Sequence, residues 1–320
     1  MKRIGVLTSG GDAPGMNAAI RSVVRSGIYN GLSVYGIRRG YEGLVDGDIS
    51  EMTVPSVSDI IQRGGTILRT ARSERFMTKK GFKQAVDMLK NFEIEGLAVI
   101  GGDGSYRGGL ALSEAGIPVM GIPGTIDNDL PYTDFTIGFD TAVNTVLSAL
   151  GNIRDTSSSH GRSTVIEVMG RKCGDIALYA GLAGGAEAIL IPEEEVDMTA
   201  ICRRIIEGKN RGKLHNIIIR AEGVVMSSEE LTRTIQERTG TDTKLVVLGY
   251  IQRGGSPTAR DRIMASAMGN RAVELLKADS TSRAIGVKGF GLVDYDLKES
   301  LSMERSRDQG YMDLSIILSI

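Results

Sequence analysis

Two loops rich in glycine and aspartate, each entered directly from an apolar run, leave this chain few folds to choose from. Gly101-Gly102-Asp103-Gly104-Ser105 follows Leu97-Ala98-Val99-Ile100, and Pro123-Gly124-Thr125-Ile126-Asp127-Asn128-Asp129 follows Val119-Met120-Gly121-Ile122. Between them, Arg107 to Ala115 carries a short helical pattern stopped by Gly116. Strand, loop, helix, strand, loop is the order of a parallel sheet built by βα crossovers. Such strands run the same way, so both loops leave at the carboxyl-end edge, where open α/β sheets bind ligands. Carboxylates, bare backbone and hydroxyls gathered at that edge suit phosphoryl transfer.

The same alternation recurs along the chain. Apolar strand candidates fall at 4–7, 34–37, 97–100, 119–122, 164–168, 188–191, 217–219, 245–248 and 285–287. Helical patterns separate most of them, at 17–26, 80–90, 141–154, 198–207, 228–238 and 263–276. With 320 residues the chain is large for a single core, and the expected class is α/β with two Rossmann-like lobes. Each lobe would hold a mostly parallel sheet flanked by helices. The 42 glycines cluster at the ends of apolar runs, where bare backbone lets a ligand approach.

Charge and cysteine content narrow the class further. Thirty-eight Lys and Arg against 39 Asp and Glu give a net charge of −1, which offers nucleic acid or an acidic membrane no electrostatic hold. Two cysteines, Cys173 and Cys202, lack metal or disulfide spacing and suit a reducing compartment. No run approaches the ~18 apolar residues of a membrane span. A cytoplasmic protein is expected.

Four features could carry chemistry. Thr8 to Gly15 leads from a strand into a helix starting near Pro14, an anion site or an ordinary tight turn. Asp103 among glycines offers a hard oxygen ligand beside phosphate-accepting N–H groups, as a magnesium–nucleotide site needs, although Asp-Gly turns are common. Asp127 is the candidate base that accepts a hydroxyl proton, with Asp129 on the same side if the segment is extended. Arg162, Arg171 and Arg253 each stand beside glycine, where the planar guanidinium could bind phosphate; singly, each reads as surface charge.

At these residues the chain resembles the bacterial ATP-dependent 6-phosphofructokinase family from end to end. The resemblance runs through GGDAPGMNAAIR, GGDGS, PGTIDND, IGFDTA, MGR, AEG and QRGGSPT. It implies a homotetramer of two-lobed subunits, with a larger ATP lobe at 1–138 plus 251–300. The smaller, fructose 6-phosphate lobe would comprise 139–250 plus 301–320. ATP would lie against Gly11, Arg72, Ser73, Gly102, Asp103, Gly104 and Ser105, with Asp103 serving Mg2+. The sugar phosphate would meet Thr125, Ile126, Asp127, Met169, Gly170, Arg171, Glu222 and Arg253. Arg162, Lys244 and Tyr250 complete that set, Arg162 and Lys244 reaching in from a neighbouring subunit. Asp127, Thr125, Arg171, Gly11 and Arg72 are the catalytic group the resemblance implies.

The resemblance also implies an effector site between subunits for ADP and phosphoenolpyruvate. Arg21, Arg25 and Asp59 match it, as do Arg154, Gly185, Glu187, Arg211, Lys213 and His215. Arg21 and Arg25 fall one helical turn apart. Arg211, Lys213 and His215 alternate and would share a face if extended. Relatives that use pyrophosphate carry Asp for Gly104 and Lys for Gly124; glycine at both points to ATP. Lys244 stands for the usual arginine, Tyr250 for histidine, Val54 for an effector-site arginine and Leu214 for a lysine. The alternatives are a pyrophosphate-dependent or other sugar-phosphate kinase, or a non-catalytic sensor that would have shed Asp103 or Asp127.

Overall fold

The computed structural model describes residues 1–305 and 309–319. In chain order its elements open with β1 (Arg3–Thr8), α1 (Met16–Tyr29), β2 (Ser33–Ile37), α2 (Gly40–Asp46) and β3 (Ile49–Met52). They continue with α3 (Lys79–Asn91), β4 (Gly96–Gly101), α4 (Asp103–Glu114), β5 (Val119–Pro123) and α5 (Phe139–His160). Next come β6 (Ser163–Val168), α6 (Asp175–Gly184), β7 (Ala188–Leu190), α7 (Met198–Asn210), β8 (Asn216–Ala221), α8 (Ser228–Thr239) and β9 (Thr243–Val247). The last are α9 (Ala259–Lys277), β10 (Arg283–Lys288), β11 (Gly291–Asp296), α10 (Leu297–Ser300) and α11 (Gln309–Leu318).

The chain divides into two units. The first comprises Met1–Ile126, Leu130–Thr141 and Arg253–Arg305. The second holds Asp127–Asp129, Ala142–Gln252 and the described residues 309–319. A boundary at Thr141 falls inside α5, and three residues of the 123–129 loop cluster apart from both flanking segments.

The first unit is a seven-stranded sheet in the order β11-β10-β5-β4-β1-β2-β3. Its five inner strands are parallel, and both edges, β3 and β11, are antiparallel. Ile4, Val6 and Leu7 of β1 and Leu97 to Ile100 of β4 are fully buried, as continuous apolar runs covered on both faces should be. Helices α1 and α9, more than 200 residues apart in sequence, pack through small residues. Ser22 donates to the Ser266 carbonyl at 2.5 Å, and a Cβ on Gly269 would lie 2.6 Å from that of Ser22. The second unit holds an all-parallel sheet in the order β7-β8-β6-β9. No helix among the described residues is long and apolar enough to cross a membrane.

All nine expected strands are present. The two edge strands were not expected, because β3 and β11 are half-exposed and polar and show no apolar run. The helix expected near Pro14 begins at Met16, since Gly15 at φ 105° turns the chain left-handed just before it. Helix α4 begins at Asp103 rather than Arg107, so Asp103 lies in a first helical turn.

A buried carboxylate ties the start of α5 to α9 within the first unit. Asp261, fully buried, accepts hydrogen bonds from Gly138 N (3.0 Å), Thr141 N (2.9 Å) and Thr141 Oγ1 (2.5 Å). Burial pushes its pKa up against the pull of these donors. A carboxyl raised in the fold stabilises it below the usual carboxylate range and loses that contribution as pH rises, so Asp261 does not drive acid unfolding. Asp261→Ala strands three donors, each costing roughly 1–3 kcal/mol. The variant should lower the midpoint of thermal unfolding by several degrees, read by circular dichroism.

Candidate active site

The first unit's loops converge where its strand order reverses. From β1 the chain lays down β2 on one side, then returns to place β4 on the other, so the helices following β1 and β4 leave a crevice at their carboxyl ends. The loop after β1 and the first turn of α4 line that crevice. Ser9 N donates to the Ile100 carbonyl at 3.0 Å. Gly101 has no room for a side chain, because a Cβ would strike Ser105 Oγ and come within 2.5 Å of the Ser9 carbonyl. Gly104 is the opposite case: a Cβ there meets nothing within 4 Å. Gly124 is packed, with a Cβ falling 2.9 Å from Ile100 and 3.0 Å from Met16.

Support comes from side chains that sequence reading missed. Tyr41 of α2, buried, donates its hydroxyl to the Ser105 carbonyl at 2.5 Å and stacks on Phe76, with ring centroids 4.4 Å apart. Phe76, Met77, Phe82, Gly108 and Ala111 line an apolar recess of about 490 Å3 one turn along α4. Ser73 donates to Glu42 at 2.5 Å and caps Phe76 N; Arg72 beside it is exposed. Asp103, half-exposed, pairs with Arg107 at 2.8 Å, one turn along the helix. Arg253, expected with the sugar phosphate, lies against the loop after β1: its Nη1 donates to the Asp12 carbonyl at 3.3 Å and occupies the place a Gly11 Cβ would take.

In the second unit, Asp127 is buried beside Arg171, with Oδ2 3.2 Å from Nε. Asn128 has a left-handed backbone, φ 52°, so 127–129 is not extended and the expected alternation of Asp127 with Asp129 does not hold. Asn128 is anchored by donating to Asp175 at 2.7 Å. Arg171 is also left-handed, φ 54°, in a loop that follows β6. One oxygen of Glu222, at the neighbouring end of β8, accepts from Gly170 N (3.2 Å) and Arg171 N (2.8 Å). Met169 N donates to Gln252 at 3.1 Å. Thr125 and Ile126, in the first unit, are buried beside Ile137, whose carbonyl accepts from Thr125 N at 3.2 Å.

Arg162 and Lys244 stand at the other edge of the same sheet. Arg162 precedes β6, while Met169 to Arg171 follow it, and six residues of strand span ~20 Å. The structure therefore does not bring Arg162 and Lys244 to the Arg171–Glu222 cluster of their own chain. It brings them to each other through Asp242, whose two oxygens take Arg162 at 2.6 Å and Lys244 at 2.8 Å. Those cations, Lys244 foremost, hold the Asp242 carboxyl below the usual carboxylate range. Tyr250 is 83 % exposed.

Of the remaining expected set, Arg154, Gly185, Glu187 and Lys213 gather in the second unit. Lys213 pairs with Glu187 at 2.5 Å, and Arg154 donates to the carbonyls of Gly184 and Gly185. Arg211, Lys213 and His215 do not form one extended face. Arg211 closes α7 and Gly212 turns left-handed at φ 84°, so only Lys213 onward runs toward β8. Arg21 and Arg25 sit half-buried on α1, and Asp59 is exposed at φ 54°.

Replacing Glu222 with Ala removes the only acceptor described for the Gly170 and Arg171 N–H groups. Hydrogen exchange across 169–173 should accelerate in Glu222→Ala, measured by mass spectrometry, with the β6 core itself unchanged.

A family model of phosphofructokinase matches residues 3–276. The chain is 61 % identical over 320 residues to the ATP-dependent 6-phosphofructokinase of Alkaliphilus metalliredigens, covering all of both chains. It is 60 % identical over 319 residues to that of Clostridium tetani, again at full coverage of each. Among solved structures, Saccharomyces cerevisiae phosphofructokinase superposes with a TM-score of 0.89 at 35 % identity. That match covers all of this chain and 48 % of the yeast chain. A pyrophosphate-dependent phosphofructokinase from Marinobacter aquaeolei shares the fold, with a TM-score of 0.86 at 22 % identity over 97 % of this chain and 86 % of that one.

Proposed function

The chain belongs to the phosphofructokinase family, and from that membership we propose which of its groups carry each part of the reaction. It is a glycolytic kinase that transfers the γ-phosphoryl group of ATP to the 1-hydroxyl of fructose 6-phosphate, giving fructose 1,6-bisphosphate and ADP. The observation that carries the assignment of roles is Asp127, buried and paired with Arg171, just beyond the end of β5.

Asp127 is the base that takes the proton of the attacking hydroxyl, and Arg171 neutralises charge on the transferring phosphoryl group. Asn128 and Arg171 both hold left-handed backbones, strain that surrounding hydrogen bonds maintain at a working site. Thr125, Ile126, Met169, Gly170 and Glu222 shape the sugar side. The ATP phosphates meet the backbone of Gly11 and the N-terminal turn of α4 at Gly102, Asp103, Gly104 and Ser105, with Arg72 and Ser73 alongside. The apolar recess at Phe76 and Gly108 takes the base. Arg253, whose guanidinium rests at Gly11, serves the sugar phosphate.

Asp103 fits a hard divalent cation such as Mg2+. It is a half-exposed carboxylate at a helix N-terminus, and no group of three acidic, His or Cys side chains among the described residues forms a closed cage. That donor set matches a cation held by one or two carboxylates plus the nucleotide's own phosphates. When bound, such an ion screens charge on the β- and γ-phosphates.

The distance between sheet edges supports a shared site. Arg162 and Lys244 are too far from Arg171 to serve the same sugar in one chain, so they serve a neighbour's in a homotetramer. Tyr250 adds a hydroxyl where relatives place histidine. The effector site for ADP and phosphoenolpyruvate draws Arg21, Arg25 and Asp59 from one subunit, and Arg154, Gly185, Glu187, Arg211, Lys213 and His215 from another. Val54 and Leu214 are exposed apolar residues in place of two cations, so that site binds its anions weakly. A cytoplasmic location accords with glycolysis.

Asp127→Ser should lower kcat by ~10²–10⁴-fold while leaving the half-saturating sugar phosphate concentration little changed. Steady-state assays check this, and near-normal turnover would remove Asp127 from the mechanism. Because a Cβ at position 104 is unobstructed, Gly104→Asp should fold normally and test charge alone. It should raise the KM for ATP markedly with an unchanged melting temperature; unaltered ATP kinetics would displace the nucleotide from this turn.

A further inference from the structure

We propose that Arg220 is a positioning residue for the sugar side of the site: its buried guanidinium sets the 222–226 turn and so fixes Glu222. The proposal rests on the assignment of Glu222 and Arg171 to fructose 6-phosphate. Arg220 lies on β8 behind Ile217, Ile218 and Ile219, and is 4 % exposed. A guanidinium is tolerated there only if every nitrogen finds an acceptor. All three do. Nε donates to the Met226 carbonyl at 2.9 Å, Nη2 to the Val224 carbonyl at 2.8 Å, and Nη1 to Glu167 Oε2 at 2.8 Å.

Two of these acceptors are main-chain carbonyls of one turn, so Arg220 responds to the path of the backbone rather than to a side chain. The planar fork holds the carbonyls in fixed relation to each other. Glu167 sits directly opposite Arg220 in the β6–β8 register and also accepts from Ser228 Oγ at the start of α8. The turn is thus fixed from below at three places, with Glu222 N bound to the Val168 carbonyl at 2.8 Å.

What the turn carries upward is the Glu222 carboxylate, which holds the Gly170 and Arg171 N–H groups. The next residue transmits displacement directly, because a Cβ on Gly223 would collide with the Arg171 carbonyl. Movement of the 222–226 turn therefore moves Arg171, whose guanidinium pairs with Asp127. If Arg220 served only to neutralise Glu167, a lysine would do as well. Lysine offers a point charge and cannot hold two carbonyls in a plane.

Four variants test the assignment. Arg220→Lys keeps the charge beside Glu167, and the double variant Arg220→Met with Glu167→Gln removes both charges of the pair together. Each should melt near the wild-type temperature, raise the half-saturating fructose 6-phosphate concentration roughly ten-fold, and leave the KM for ATP unchanged. Wild-type sugar saturation in Arg220→Lys, or its recovery in the double variant when Arg220→Met alone is impaired, would reduce Arg220 to a partner of Glu167 and overturn the proposal. Glu222→Gln separates the two levels. If it leaves sugar saturation unaltered, the site assignment itself falls, and the proposal with it; if it shifts saturation while Arg220→Lys does not, only the role of Arg220 falls.

Discussion

Parallel pairing of β1 on both of its sides governs the first unit. A strand with parallel neighbours left and right cannot be reached by hairpins, so every connection must cross the sheet as a helix. Because the chain builds outward from β1 in two directions, the helices after β1 and β4 diverge, and the gap between them is lined by the glycine-rich loop after β1 and the first turn of α4. Gly101 marks the limit of that closeness, since even a methyl group would strike the adjoining strand's loop. The crevice is held at depth by contacts that bind nothing themselves. Tyr41 supports the turn from beneath, and the small-residue seam between α1 and α9 brings a late helix against the first one.

The second sheet uses its two edges differently. Its carboxyl edge carries the Met169–Arg171 loop and Glu222, joined by backbone hydrogen bonds to a single carboxylate oxygen. Its amino edge carries Arg162 and Lys244, joined through Asp242. These exposed ion pairs contribute little to stability, because water screens them. Their value lies in keeping two cations side by side at a surface. Arg220 lies buried in the interior of the same sheet beside the half-buried Glu167, where its charge must be fully partnered.

How much of this was legible in the sequence follows from what each feature demands of the chain. A loop with no room for Cβ demands glycine, so Gly101 and its neighbours announce themselves, as do inner strands covered on both faces. An edge strand demands little, since one side is open to water; β3 and β11 therefore left no apolar signature. Helix α6 is apolar nearly all round, which erases the helical period that would reveal it. The same limit applied to the sites. Asp127 and Arg171 stand in conspicuous motifs, whereas Asp242, Tyr41 and Arg220 matter only through partners brought near by folding. Alternation misled at Asn128 and at Gly212, because a single left-handed residue cancels the period of two.

The tyrosines of the first unit have an optical consequence. Tyr41, Tyr106 and Tyr132 are buried, Tyr106 and Tyr132 joined hydroxyl to hydroxyl at 2.7 Å, and burial pushes all three phenols far above their ordinary range. The chain has nine tyrosines and no tryptophan. Phenolate absorbance rising in alkali thus comes in two populations, one from exposed rings and one released only when this core opens. The same shift makes the fold lose stability above about pH 10, where unfolded phenols ionise and buried ones do not. The interior carries its own unfolding dye, free of indole background.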